Sequence, residues 1–389
     1  MRDLFMLRFR RGLSFWCPAG HSWSSLDVPE PIHRAVVNAG YTAPTLAQSL
    51  TVTACRENPQ ALHVGLQTGT GKTLAFLIPI LERLLLRPSA PSLLLAPSLE
   101  LCHQITAVCD RLLSGLSSDL ACVHLQSSMI PAKLNEANII VASPSSAERV
   151  LAPKGTLNQL GTVVVDEADF ILNGGSGHQR ALHSILQTTS KSKEIQHIIV
   201  GATMPPFASK YLQTLFPDLK SIRSENSISA TVNRSYILYD GDVISQLRNV
   251  VVPGERTLIF CNTSAMVDTV VAVSRWLKKA ALFSSSVTPE NRCLLLDAFN
   301  RKKIDVLVCT DAAARGIDFI DVENVVEVPF ALDSMTHLHR VGRTGRCGRQ
   351  GRSTAFYESS RSALVAALEA AGPERNKRKH RLLLTYFNL

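Results

Sequence analysis

The stretch ALHVGLQTGTGKTLAFLIPILERLLL at 61–86 constrains the fold more than any other part of the chain. A short apolar run leads through a glycine-bearing loop into a long segment whose residues 74–81 carry no polar side chain. A strand that is apolar at nearly every position has no solvent face. It belongs in a parallel sheet covered on both sides by crossover helices. The same rhythm recurs in SLLLAPS (92–98), NIIVASP (138–144), TVVVDEAD (162–169) and QHIIVGAT (196–203). After the polar stretch RSENSISATVNRS (223–235) it restarts with RTLIFCN (256–262), IDVLVCTD (304–311), NVVEVPF (324–330) and STAFYES (353–359). At 389 residues the chain can bury two cores. The expectation is α/β: tandem doubly wound parallel-sheet domains over 23–222 and 235–372, joined by a linker at 223–234. Ligands of such sheets bind beyond the carboxyl ends of the strands, and the charged motifs of both halves fall there.

A phosphate loop of the form G-x-x-x-x-G-K-[ST] needs its first small residue five places before Gly71, and that position is Leu66, not the neighbouring Gly65. The part that touches phosphate, TGTGKT at 68–73, is complete. Backbone N–H groups from Gly69 to Thr73 can point at phosphate oxygens, helped by the helix N-terminus. Thr68, Thr70 and Gly71 shape the cradle, Lys72 would reach the β- and γ-phosphates, and the Thr73 hydroxyl would bind Mg²⁺. Ninety-four residues after Lys72, VVVDEAD supplies the other half of such a site. Asp166, at a strand end, would hold Mg²⁺ through water, because that ion dehydrates reluctantly. Glu167 is placed to polarise the attacking water.

DEAD at 166–169 together with HRVGRTGR at 339–346 resembles the DEAD-box RNA helicases of superfamily 2, and the resemblance extends along nearly the whole chain. It implies two RecA-like domains that use ATP and Mg²⁺ and bind RNA through its backbone, without sequence preference. GYTAPTLAQ (40–48) is similar to the family's adenine-reading Q motif, with Trp23 as the isolated aromatic upstream. By that resemblance Gln48 bonds the adenine edge and Tyr41 stacks on it. GAT (201–203) stands where the family usually has Ser-Ala-Thr, and Thr203 with Asp169 would couple the ATP and RNA sites. LIFCNTS (258–264) resembles motif IV. In TDAAARGID (310–318), Asp318 would bind ribose and Thr310 an RNA phosphate. Arg343 and Arg346 would be arginine fingers reaching across the cleft to the γ-phosphate, and His339 would couple ATP state to RNA state.

Departures from the family cluster on the RNA side. Motif Ia appears as PSLELC (97–102), with Leu99 in place of arginine. The Gly-Gly motif is Ser127-Ser128, and Thr-Pro-Gly-Arg appears as SPSS (143–146). Pro97 and Pro144 remain as RNA-path residues of the first lobe. In the second lobe Arg292 remains, after Ser284-Ser285 where His-Gly is usual. Two lost arginines remove two phosphate contacts from a site that reads backbone. The implied activity is ATP-dependent local unwinding of short RNA duplexes. The alternative is an ATP-gated RNA clamp or ribonucleoprotein assembly factor with little unwinding. A DNA helicase fits the Q motif and DEAD box less well.

The net charge of +9 is local rather than general. Residues 1–22 carry a net +3 and residues 340–381 a net +8, which leaves the middle at −2. The first segment mixes Arg with Leu, Phe and Met around a single acid, Asp3, the composition of a mitochondrial transit peptide. Mitochondrial import is therefore the expected localisation, with cytoplasm or nucleus the alternatives. The tail at 373–389 contains RNKRKHR, which can bind phosphate without sequence preference. Nine cysteines, none closer than seven residues to another, exclude a C-x-x-C zinc or redox motif and suit reduced thiols. The most apolar stretch is too short to span a bilayer. The core is expected to be monomeric.

Overall fold

The structure, a computed structural model, describes residues 22–371 except 58, 66–69, 118, 127–133, 174–176, 203, 224–230, 274–275, 278, 315 and 347–348. The sequence expectations at Leu66, Thr68, Gly69, Ser127, Ser128 and Thr203 lie outside the described residues, as do those for the N-terminal arm and the basic tail. The chain divides into two compact units, with the boundary between Glu225 and Asn226.

The first unit has seven strands, Ala61–Gly65 (β1), Ser92–Leu95 (β2), Cys122–Leu125 (β3), Ile139–Ala142 (β4), Thr162–Val165 (β5), Gln196–Val200 (β6) and Lys220–Arg223 (β7). All pair in parallel, in the order β3-β4-β2-β5-β6-β1-β7. Its helices are Glu30–Asn38 (α1), Leu46–Arg56 (α2), Lys72–Leu86 (α3), Leu99–Leu113 (α4), Pro144–Leu151 (α5), Ala168–Asn173 (α6), Gly177–Thr189 (α7) and Pro206–Leu215 (α8). They divide the core into two layers. Leu62, Val64, Leu94, Val141 and Val164 face one, and Leu93, Leu95, Ile140, Val163 and Val165 face the other. Adjacent residues of one strand point to opposite faces, so burying both explains why these strands are apolar without a break.

The second unit repeats the scheme with six strands, Val232–Leu238 (β8), Thr257–Cys261 (β9), Ala280–Phe283 (β10), Val306–Thr310 (β11), Asn324–Glu327 (β12) and Gly351–Tyr357 (β13). Their order is β10-β11-β9-β12-β13-β8, again all parallel. Val243–Gln246 (α9), Ser264–Val273 (α10), Pro289–Asn300 (α11), Asp311–Ala314 (α12), Ser334–Val341 (α13) and Ser362–Ala371 (α14) are its helices. β8 begins at Val232, within the stretch read as linker from its polarity. Its alternation of buried Val232 with exposed Asn233 and Ser235 is that of an edge strand, half wet. Among the described residues no helix is long and apolar enough to cross a membrane.

Candidate active site

The mouth of the phosphate loop is built by local chemistry at the start of α2. Thr45 caps that helix: its hydroxyl accepts from the Gln48 N–H, and its own N–H donates to Gln48 Oε1 at 2.8 Å. This reciprocal box satisfies two orphan donors of the helix terminus. It also fixes the Gln48 amide so that Nε2 faces the loop and donates to Gly71 O at 3.2 Å. The Thr45 hydroxyl donates in turn to Thr70 O at 2.8 Å. Gly71 lies at φ +80°, and a Cβ there would stand 2.3 Å from Gln48 Nε2. Only glycine fits both conditions. Gln48, expected to face adenine, is thus tied to the phosphate loop itself. Tyr41 packs against the hydrophobic core, and its carbonyl accepts the Trp23 indole N–H at 2.7 Å. Trp23 is 1% exposed, so it is a core residue that supports Tyr41 rather than an open aromatic face.

Gly71 leads into α3, which places Lys72 and Thr73 in its first turn. Asp166 and Glu167 follow β5, two strands away in the sheet, at the same carboxyl edge. Glu167 adopts φ +51°, a left-handed conformation that costs a residue with a Cβ and that clusters at working sites. The turn aims its carboxylate at Lys72, Oε1 to Nζ 3.6 Å, and both side chains are buried. The Lys72 ammonium makes no hydrogen bond, so a strong acceptor such as a phosphate oxygen fits beside it. Asp166 is buried and accepts the Glu167 N–H at 3.0 Å. Burial first, and the Glu167 charge second, push its carboxyl up to about 7, against the pull of Lys72. A buried carboxylate that is short of cations suits Mg²⁺, and Thr73 stands ready as a second oxygen ligand.

The sign of that shift fixes a pH dependence. The folded value lies above the ordinary one, so ionising Asp166 costs the nucleotide-free protein stability as the pH rises through about 7. A divalent cation requires the ionised form. Affinity for magnesium nucleotide is therefore expected to weaken as the pH falls below about 7, with protons released on binding at neutral pH. Calorimetry in two buffers of different ionisation enthalpy measures the release. Binding without proton release would show Asp166 to be ionised beforehand.

In the second unit, Arg343 and Arg346 follow α13. Arg343 is 4% exposed, and its guanidinium donates to Ile317 O. Arg346 is bonded to Gly342 O at 2.9 Å and to the Asp318 carboxylate. The residue expected to hold ribose thus meets one of the two expected fingers, with its own side chain 71% exposed. Thr310 ends β11 and is buried, and His339 is half-buried. Arg340, which lies within the same motif and for which the sequence suggested no role, is almost wholly buried and anchors the helix. It donates to both Asp311 oxygens (2.8 and 2.6 Å), to Asn262 Oδ1 (2.7 Å) and to Glu327 Oε2 (3.1 Å). The visible signal was Glu327 itself, a lone acid inside an apolar strand.

Residues 45–210 match the DEAD/DEAH box helicase family, and residues 242–348 match the helicase conserved C-terminal domain. The ATP-dependent rRNA helicase RRP3 of Meyerozyma guilliermondii is 30% identical over 336 residues, which cover 83% of this chain and 69% of that protein. The chain belongs to the DEAD-box helicase family. The ATP-dependent RNA helicase DeaD of Mycobacterium tuberculosis is 29% identical over 362 residues. This chain spans 63% of that relative's length, and 45% of the Sclerotinia sclerotiorum helicase drs1. Among solved structures, S. cerevisiae Dbp5 bound to RNA and ADP BeF3 superposes with a TM-score of 0.78 at 23% identity, over 91% of this chain and 94% of that one. Mss116p bound to ssRNA and AMP-PNP gives 0.77 at 22%, over 94% and 81%. The shared architecture is a pair of RecA-like α/β units.

The positions that set this DEAD-box chain apart now have surroundings. Ser98 caps α4 and leaves Leu99 partly exposed in its first turn, after Pro97. Ser143 caps α5, with Pro144 at its first position. The Ser145 hydroxyl meets His178 Nδ1 of α7 at 2.8 Å. Ser146, standing where the family has arginine, is 4% exposed and bonded to Ser143 Oγ at 2.9 Å. An arginine there would have to displace that contact. Arg292 of α11 turns back on its own loop, donating to Val287 O at 2.7 Å and Ser284 O at 3.3 Å.

Proposed function

We propose that this protein is an ATP-dependent RNA helicase, or RNA-remodelling ATPase, that grips the sugar-phosphate backbone and opens short duplexes locally. The observation that carries the reading is the buried Lys72–Glu167 pair beside Asp166 at one sheet edge. When bound, Mg²⁺·ATP supplies the phosphoanhydride and the Lewis acid. The protein's own part is to seat the phosphates on the 70–73 backbone, to hold Lys72 against them, and to orient a water through Glu167. Arg343 and Arg346 then offset charge building on the transferring group, as such cations do in phosphoryl transfer. Adding single-stranded RNA is expected to raise ATP turnover several-fold in the full chain, read by a coupled phosphate assay. Equal turnover with and without RNA rejects the helicase reading.

A second reading, an ATP-gated RNA clamp with weak strand displacement, is favoured by Leu99 and by the burial of Ser146. Both sites lack the phosphate-binding guanidinium. Leu99→Arg places a cation at a partly exposed helix start. One added phosphate contact should steepen the dependence of log affinity on log salt by about 0.7 for a single strand. Fluorescence anisotropy across a salt series measures it. An unchanged slope means that this position lies off the RNA path.

Residues 1–22 are proposed as a mitochondrial targeting segment, on the Arg-rich, acid-poor composition alone. A fluorescent reporter fused to residues 1–25 tests this, and a diffuse or nuclear signal rejects it.

A further inference from the structure

α13 carries the HRVGRTGR motif, and two of its residues one turn apart, His337 and Arg340, enter the same buried carboxylate. Glu327 is 0% exposed, with Oε1 2.5 Å from His337 Nδ1 and Oε2 3.1 Å from Arg340 Nη1. The Ala331 N–H donates to Oε2 as well, at 3.0 Å. Beyond the guanidinium, Asp311 takes two hydrogen bonds and Asn262 one. The imidazole is packed against Phe330, with ring centroids 4.8 Å apart, and its Nε2 meets the Tyr236 hydroxyl at 3.2 Å. Tyr236 stands in turn near Arg234 and Glu369. Burial pushes the Glu327 carboxyl up, but His337 and then Arg340 pull it below the usual carboxylate range, so it is ionised.

Charge bookkeeping then singles out His337. Asp311 and Glu327 contribute two negative charges and Arg340 one positive charge. A protonated His337 brings the set to neutrality, whereas a neutral imidazole leaves the buried Glu327 to share the single charge of Arg340 with the part-exposed Asp311. Buried charges are tolerated only when they are paired and hydrogen-bonded. Arg343 and Arg346 lie three and six residues beyond Arg340, so the seat of α13 sets where both guanidinia point.

We infer that His337 and Glu327 are positioning residues, whose shared proton locks α13 and thereby aligns Arg343 and Arg346 for turnover. The inference rests on the ATPase reading for its catalytic consequence, while the lock itself has a readout that needs no turnover. Hydrogen exchange of the full chain, corrected for the intrinsic effect of pH, is followed in peptides covering 334–346. Wild type is expected to lose about tenfold in protection as the pH is raised from 6 to 8 and the shared proton leaves the pair. His337→Gln, which keeps an amide donor but cannot take the proton, and Glu327→Gln should both give protection that is low and indifferent to pH. Protection in wild type that does not change with pH overturns the inference, whatever the ATPase does.

Turnover supplies the second arm. Each variant should lose about tenfold in kcat, as misplacement of charged groups by a fraction of an ångström does. KM for ATP should hold, since the phosphate loop lies on the other unit. The double variant should cost no more than either single one, because both remove the same lock. Circular dichroism at pH 6 confirms that the variants are folded. Additive losses, or equal falls in kcat and stability without a change in pH profile, identify a merely structural pair. Absence of turnover in wild type counts against the proposed function, and the exchange result still decides the inference.

Discussion

ATP turnover in the Lys72→Ala protein is expected to fall by about 10²–10³-fold, the usual effect of removing one preorganised stabiliser of developing charge. The geometry makes the size plausible. Lys72 is buried in the first turn of α3, its ammonium makes no hydrogen bond, and the nearest charged atom is Glu167 Oε1 at 3.6 Å. It waits for a stronger partner, and a phosphate oxygen entering the loop would be that partner. Glu167→Gln should slow turnover comparably but separate from Lys72→Ala in binding. The glutamine keeps the side-chain volume, leaves Lys72 free for phosphate and removes only the group that activates water. Fluorescent-nucleotide titration should therefore find affinity weakened in Lys72→Ala and retained or improved in Glu167→Gln. Wild-type turnover in Lys72→Ala would falsify the placement of hydrolysis at this loop.

How much of this was legible depended on whether burial writes itself into a pattern. The central strands could be read because both faces are covered and apolar residues run on, as in the VVV before Asp166. The edge strands β3, β7, β8 and β10 escaped notice because CVHL, KSIR, VNRSYIL and AALF are short or mixed, and their half-wet faces interrupt the run. The phosphate loop and the Asp-Glu pair were legible because backbone geometry and chain order define them. The seat of α13 was not. Glu327, His337, Arg340 and Asp311 lie as much as 29 residues apart, and nothing local says that they meet. Ser146 makes the opposite point. Its position in the motif identified it as a lost RNA contact, yet its burial under Ser143 shows that an arginine cannot simply be restored. Trp23 was read as a landmark of the adenine site, and the structure moves it into the core.

That relocation yields the largest stability prediction. Trp23→Ala is expected to cost the first unit about 3–5 kcal/mol, the range for removing a large buried aromatic side chain. The side chain belongs to the same buried cluster as Val28, Ile32, Val36 and Ala47, and the alanine leaves a cavity that strand and helix backbones cannot close. It also strips the Tyr41 carbonyl of its indole donor. A unit of this size holds only about 5–15 kcal/mol in all, so the loss is a large fraction of its stability. Trp23→Phe separates the two contributions. The phenyl ring fills much of the space, and what remains missing is one part-buried hydrogen bond, worth about 0.5–1.5 kcal/mol. Urea unfolding of the full chain should show the transition of the first unit moved strongly by alanine and less by phenylalanine, with that of the second unit fixed. Nucleotide binding adds the functional side. If Trp23 acts through Tyr41, Trp23→Phe should weaken ATP affinity while leaving most of the stability in place. If the ring served only as filler, affinity would follow stability in both variants. The Trp23–Tyr41 bond predicts that the two measurements part company, because one hydrogen bond fixes the backbone from which Tyr41 projects.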